Sequence, residues 1–166
     1  MDNAEEVEIF GIEADFAAIP SERWLFNLRY GLTNGEIKRH TGSNFDYSTL
    51  AVNTHDFAGK DIPFSPEYSL YSDISYLFSD QIITTIGVRQ IGNIHYLDQT
   101  AHDTVNDSYT LLNANIGYVS NGWEVNLFGT NLTDEEYYTS LVSSLGGSPG
   151  IVGSPRVVGL SISKEF

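Results

Sequence analysis

Apolar and polar residues alternate with a period of two through much of this chain. The run from Trp24 to Thr33 is the clearest. Trp24, Phe26, Leu28, Tyr30 and Leu32 fall on one side, and Asn27, Arg29, Gly31 and Thr33 on the other. Successive side chains of a pleated strand point to opposite faces, so this run predicts a strand with one greasy and one polar face. The pattern returns six more times. Phe10, Ile12, Ala14 and Phe16 alternate with Gly11, Glu13 and Asp15; Tyr68, Leu70, Ile74, Tyr76 and Phe78 alternate with Ser69, Asp73 and Ser75. Further runs centre on Ile82, Ile86 and Val88, on Leu112, Ala114, Ile116 and Tyr118, on Trp123, Val125 and Leu127, and on Val158, Leu160 and Ile162. Most of these segments are long enough for the roughly 9–11 residues that a tilted strand needs to cross a bilayer.

The connections carry as much information as the strands. Three are predicted tight, at Ile19–Glu22, Ser79–Gln81 and Ser120–Gly122. Three are predicted long, at about His40 to Ser65, Asp98 to Asp107 and Thr133 to Ser154. Short and long alternate strictly, the asymmetry of outer-membrane barrels, whose periplasmic turns are short and extracellular loops long. The parity places Phe166 on the periplasmic side. Charged and amide residues on the polar faces (Glu13, Asp15, Asn27, Arg29, Asp73, Arg89, Asn113, Asn115, Glu124, Asn126) then face a wet interior. A lipid-facing charge near the midplane costs roughly 2–4 kcal/mol. Aromatics near strand ends, namely Trp24, Tyr30, Tyr68, Tyr76, Phe78, Tyr96, Tyr118 and Trp123, suit interfacial girdles. The expected fold is all-β: an antiparallel up-and-down transmembrane β-barrel, partial, with about seven strands of a larger barrel.

Composition narrows the function classes. The net charge is −14, which repels phosphates and argues against nucleic-acid binding. There is no cysteine, so disulfides and thiolate metal sites are excluded. No apolar stretch is long enough for a membrane helix, and Met1–Glu8 is acidic with no signal-peptide core. Either the chain is soluble, or its true N-terminus lies upstream and residues 1–166 are a fragment.

The run Asn126-Leu127-Phe128-Gly129-Thr130-Asn131-Leu132-Thr133-Asp134-Glu135-Glu136-Tyr137-Tyr138 resembles a signature of TonB-dependent receptors, in which the penultimate strand ends in an Asn-Leu-x-Asp turn followed by Tyr. Gly153-Ser154-Pro155-Arg156 and Phe166 resemble the start and end of that family's closing strand. The segments Gly59–Pro66 and Tyr109–Ala114 are similar to the approach to a descending strand and to the start of the third-last strand. The motif residues are thus Asn131, Leu132, Asp134, Tyr137, Pro155 and Arg156. Leu160, Ile162 and Phe166 resemble the signal read by the barrel assembly machinery, with Lys164 as a departure that can snorkel.

The resemblance implies the C-terminal part of a plugged 22-stranded barrel in the outer membrane of a Gram-negative bacterium, with plug and signal peptide absent from this chain. It implies active uptake of a scarce small-molecule ligand, such as a ferric siderophore or other chelate, energised through the TonB complex. The implied partners are outer-membrane lipid, the remaining strands and plug, and the assembly machinery. Alternatives are a passive or structural barrel or oligomeric pore, and a soluble carbohydrate-binding β-sandwich.

No enzymatic constellation emerges, and no cofactor or metal is expected. His40, His55, His95 and His102 have no diagnostic ligand spacing. Glu135-Glu136 reads as solvated loop, Gly146–Gly150 lacks the lysine and helix of a phosphate loop, and Asn131-Leu132-Thr133 matches a glycosylation acceptor that arises often by chance. Arg29 and Arg89, on the polar face, are candidates for an anionic ligand, although pairing with acids on neighbouring strands or the plug is the commoner role. Tyr96, Asp98, His102 and Tyr137 are weaker candidates toward the outer mouth.

Overall fold

The computed structural model describes residues 5–98, 102–141 and 149–165. All regular structure among them is β. Seven strands form one sheet: β1 (Glu6–Ser21), β2 (Trp24–Arg39), β5 (Tyr68–Ser79), β6 (Ile82–Ile91), β9 (Tyr109–Ser120), β10 (Trp123–Thr130) and β13 (Val157–Lys164). They lie in that spatial order, each antiparallel to the next. These are the seven segments that the alternation predicts, joined as an up-and-down meander. Phe166, at the end of the expected assembly signal, lies outside the described residues.

The tight connections gather at one end of the sheet. They are two-residue turns at Glu22-Arg23, Asp80-Gln81 and Asn121-Gly122. Asn121 and Gly122 both have positive φ, 51° and 75°. Asn-Gly is the pair that tolerates this best, and such turns match the twist of a hairpin. The first turn falls later than the sequence suggested, because β1 runs on through Ile19 and Pro20. Proline lacks an N–H, but Pro20 falls in the register shift between Ala18 and Ser21, where it has no paired residue on β2.

The long connections differ from the irregular loops expected. Each carries a small hairpin: β3 (Thr41–Asp46) with β4 (Ala51–Asp56), β7 (Ile94–Leu97) with β8 (Asp103–Asn106), and β11 (Tyr138–Leu141) with β12 (Gly150–Val152). The buried apolar residues collect toward this end. Ile37, Phe57, Ile91, Tyr96 and Leu141 are the buried hydrophobics among the described residues. Tyr96 therefore does not join a lipid girdle; it sits inside the β7–β8 region, edge-on to Phe64 at 5.3 Å.

The greasy face of the large sheet is bare. Registered positions align Phe16, Leu28, Ser72, Val88 and Leu112 in one row across β1, β2, β5, β6 and β9. Ala18, Phe26, Ile74, Ile86, Ala114, Gly129 and Val158 form a second row, which reaches β13. Phe16, Ile74, Ile86, Leu127, Leu160 and Ile162 are all exposed. A soluble sandwich would cover this face with a second sheet about 10 Å away. The other sheets of the described chain are two-stranded hairpins. At the short-turn end Trp24 packs against Phe26 and Tyr76, and Tyr76 against Phe78. Lys164 holds its Nζ 4.8 Å from the Trp123 ring centroid, so its charge sits over an interfacial aromatic.

Candidate functional site

The opposite face is polar, and its side chains also fall in register. One row reads Asp15, Arg29, Tyr71, Arg89 and Leu111 across β1, β2, β5, β6 and β9. The row on the long-connection side reads Glu13, Gly31, Ser69, Ile91 and Tyr109, and the next toward the short turns Ala17, Asn27, Asp73, Gly87 and Asn113. Period-two geometry puts these residues on one surface, and strand pairing sets their order. Arg29 and Arg89, more than fifty residues apart in sequence, thus come to flank Tyr71.

These groups line an open cleft of about 480 Å³ with Glu13, Asp15, Gly31, Ser69, Tyr71 and Ile91. Gly31 and Ser69 are small, which leaves room beside the arginines. Arg29 Nε lies 3.5 Å from Asp15 Oδ2, with both side chains more than two-thirds exposed. An ion pair so exposed contributes about 0–1 kcal/mol, so it orients the guanidinium without sequestering it. Below the cleft, Asn27 donates from Nδ2 to Asp73 Oδ2 at 2.9 Å, and Ser75 and Thr85 share a hydroxyl hydrogen bond of 2.8 Å. Asp73 and Ser75 are buried, on the short-turn side of the cleft, while the arginines that line it stay exposed.

The mouth candidates do not join the arginines. Tyr96 is buried against Phe64. His102 is exposed at the tip of the β7–β8 hairpin, where its backbone N–H donates to Asp98 Oδ1 at 3.0 Å. Tyr137 stacks on Tyr109 with centroids 4.4 Å apart, and its ring covers Gly153 so closely that a Cβ there would clash.

The motif residues form a second constellation with a different character. Asn131 has φ 48° and is almost fully buried. Its Nδ2 donates to the carbonyls of Glu135 and Ser154, at 2.9 and 3.0 Å, while its Oδ1 accepts the Glu135 N–H at 2.9 Å. Its own N–H donates to Asn113 Oδ1. Asp134, also at positive φ, accepts the Arg156 N–H at 2.9 Å and faces the Arg156 guanidinium at 3.5 Å. This cluster closes a turn and seats the start of β13.

Sequence reasoning overlooked a third cluster. His95 Nδ1 lies 2.7 Å from Asp103 Oδ2, and its Nε2 faces Glu67 and Asp61 at 3.5 and 3.7 Å. Partial burial lowers the imidazole's affinity for a proton. The hydrogen bond to Asp103 and the charges of Asp103, Asp61 and Glu67 outweigh it and raise the pKa above the ordinary 6.5. Among the described residues no group of three or more His, Cys, Asp or Glu side chains has an arrangement that could hold a metal ion.

The sequence model of the TonB dependent receptor-like β-barrel family matches residues 1–132. Solved structures with the same fold include the ferric yersiniabactin uptake receptor FyuA of Yersinia pestis, with TM-score 0.76 and 17% identity, over 96% of this chain and 24% of that one. The siderophore receptor PiuA of Acinetobacter baumannii also has TM-score 0.76, at 16% identity, over 94% of this chain and 21% of that one. The ferripyoverdine receptor of the Pseudomonas aeruginosa outer membrane matches with TM-score 0.65 and 18% identity, over 94% and 19%. The chain thus spans about a quarter or less of the length of these structures.

Proposed function

This chain belongs to the TonB dependent receptor-like β-barrel family, and from that premise we propose that it forms part of the wall of an outer-membrane active transporter. In this reading, residues 1–166 supply the C-terminal staves of a larger barrel in a Gram-negative outer membrane. The bare apolar face meets lipid. The polar face lines the lumen, opposite a plug contributed by the rest of the protein. The transported ligand is a scarce anionic chelate such as a ferric siderophore, energy comes through the TonB complex, and the assembly machinery inserts the barrel. The chain does no enzymatic chemistry in this account.

The observation that carries the proposal is the two-sidedness of the sheet. One face is predominantly apolar and uncovered; the other holds Arg29, Arg89, Asp73 and their partners in register. Such a sheet is stable only where one side is hydrocarbon and the other is wet. Its two outer strands, β1 and β13, each keep an unpaired edge within this chain, which further strands of a barrel would satisfy. The structures named above support the ligand class, since by description they are a ferric yersiniabactin uptake receptor, a siderophore receptor and a ferripyoverdine receptor.

The test is accumulation of a radiolabelled ferric chelate by cells that carry the intact gene, compared with a deletion strain. Uptake that requires both the gene and the proton-motive force supports active transport. Gene-dependent uptake that survives an uncoupler would favour a passive pore, and no gene-dependent uptake across a panel of chelates would remove the proposal.

A further inference from the structure

The cluster around His95 joins two connections that are far apart in sequence. Asp61 and Glu67 belong to the segment between β4 and β5; His95 and Asp103 belong to the β7–β8 hairpin. We propose that these four residues form a proton-operated clasp, which ties the β7–β8 hairpin to the β4–β5 segment when the His95 ring is charged and lets them part when it is neutral.

Tautomer chemistry explains why the proton matters. Asp103 is a carboxylate, which only accepts, so it fixes the hydrogen of the ring on Nδ1. In the neutral ring Nε2 then points a lone pair at the carboxylates of Asp61 and Glu67. Adding a proton there turns two repulsive contacts into two attractive ones. Three acids surround one imidazole. The stretch of β2 beside the cluster contributes Leu32, Thr33, Asn34 and Gly35, none titratable. Glu36, which follows them, directs its carboxylate to Lys38 at 2.7 Å. Asn93 donates to Glu67 Oε2 at 3.4 Å and leaves its charge in place.

Backbone contacts transmit the change. Phe64 N–H donates to the His95 carbonyl at 2.9 Å, and Glu67 N–H to the Asn93 carbonyl at 3.0 Å. Phe64 is held at φ 65°, which a bulky side chain rarely adopts, so these bonds hold a conformation that would otherwise relax. The sign follows from the raised pKa of His95. A group with a folded value above its unfolded value contributes fully below the unfolded one, near 6.5, and the contribution is lost as pH rises through the folded value. The clasp is therefore closed in mildly acidic medium and opens toward alkaline pH.

The experiment uses the intact protein in detergent. The His95 ring is titrated by NMR with labelled histidine, and amide hydrogen exchange of the segment 59–67 is followed by mass spectrometry from pH 5 to 9, corrected for intrinsic rates. Exchange at Leu132, bonded to the Leu112 carbonyl in the wall, is the control. The expected midpoint lies above 6.5. Protection of 59–67 should fall across it by about tenfold for each pH unit by which the midpoint exceeds 6.5. The H95Q variant should lose the pH dependence, and the D61N/E67Q pair should lower the midpoint while the wall control stays unchanged. A midpoint at or below 6.5, a pH dependence retained in H95Q, or an equal response at Leu132 would each overturn the clasp.

Discussion

Asn131 Nδ2 donates to the Ser154 carbonyl at 3.0 Å, across a loop of more than twenty residues. The bond pins the exit of β10 to the approach of β13, and two further bonds between Asn131 and Glu135 shape the turn itself. Asn131 is also one of the few residue types that accepts a left-handed backbone without large strain. Replacing it by alanine leaves two part-buried carbonyls and an amide without this partner. Each such loss costs about 1–3 kcal/mol, so Asn131→Ala should lower the unfolding free energy by roughly 2–3 kcal/mol. Denaturant unfolding of the intact barrel in detergent measures this; an unchanged midpoint would show that the turn is not held this way.

A second prediction concerns Gly159, which lies opposite Phe128 in the β10–β13 register. The Phe128 ring covers the glycine, and a Cβ at 159 would collide with it. Gly159→Ala should cost about 1–3 kcal/mol through overpacking. The same change in a Phe128→Ala background should cost little, because the obstacle is gone. The coupling from this double-mutant cycle is the readout, and additivity of the two changes would refute the contact.

For the luminal cleft, Arg89→Gln is expected to leave stability within about 0.5 kcal/mol, as for most exposed substitutions. Its effect should fall on ligand uptake. A charge-assisted hydrogen bond is worth about 1.5–3 kcal/mol, so the half-saturation concentration should rise about tenfold or more. Arg29→Gln should act in the same direction but less, since Arg29 already shares its charge with Asp15. Unaltered uptake in the double variant would remove these residues from the ligand path.

At the tip of the β3–β4 hairpin, Asp46 accepts from the Ser48 hydroxyl at 2.6 Å and from the Ser48 and Thr49 N–H groups. These bonds, the Ser48 hydroxyl first, lower its pKa to about 2. The lowered carboxylate supports the turn above pH 3.8, its ordinary value, and the support fades as pH falls toward about 2. Titration of the carboxyl carbon by NMR should show a midpoint near 2, moved upward by Ser48→Ala. A midpoint at the ordinary value would contradict the turn geometry.

Much of the wall was legible in the sequence because one physical rule governs it. A strand between lipid and water must alternate, so Trp24–Leu32 announces both its conformation and its two faces. Pro20 misled because proline commonly marks a turn, while an irregularity in the strand register tolerates it. The hairpins in the long connections were hidden: strands of three to six residues, such as Gly150–Val152, are too short for periodicity to show. The Asn-Leu-Thr-Asp run disclosed a turn at Asn131, yet not its bonds to Asn113 and Ser154, which depend on where other strands lie. Arg29 and Arg89 could be placed on one face by parity; that they share a cleft with Tyr71 needed the register. The His95 cluster left no trace, because Asp61, Glu67 and Asp103 meet the ring only through loop packing.

The central claim is that the apolar face meets lipid and the polar face meets water, and the chain's lack of cysteine allows a direct test. Single cysteines are placed at Leu28, Ile86 and Leu127 on one face and at Asn27, Thr85 and Asn126 on the other, in the intact protein in outer membranes and with any cysteine elsewhere in it replaced. Each carries a fluorophore or is challenged with a charged maleimide. The account predicts that labels at 28, 86 and 127 are quenched by lipid-borne quenchers and resist the aqueous reagent, while 27, 85 and 126 react with it. Protection of the first set from both lipid and water quenchers, as in a dry protein core, would contradict the account.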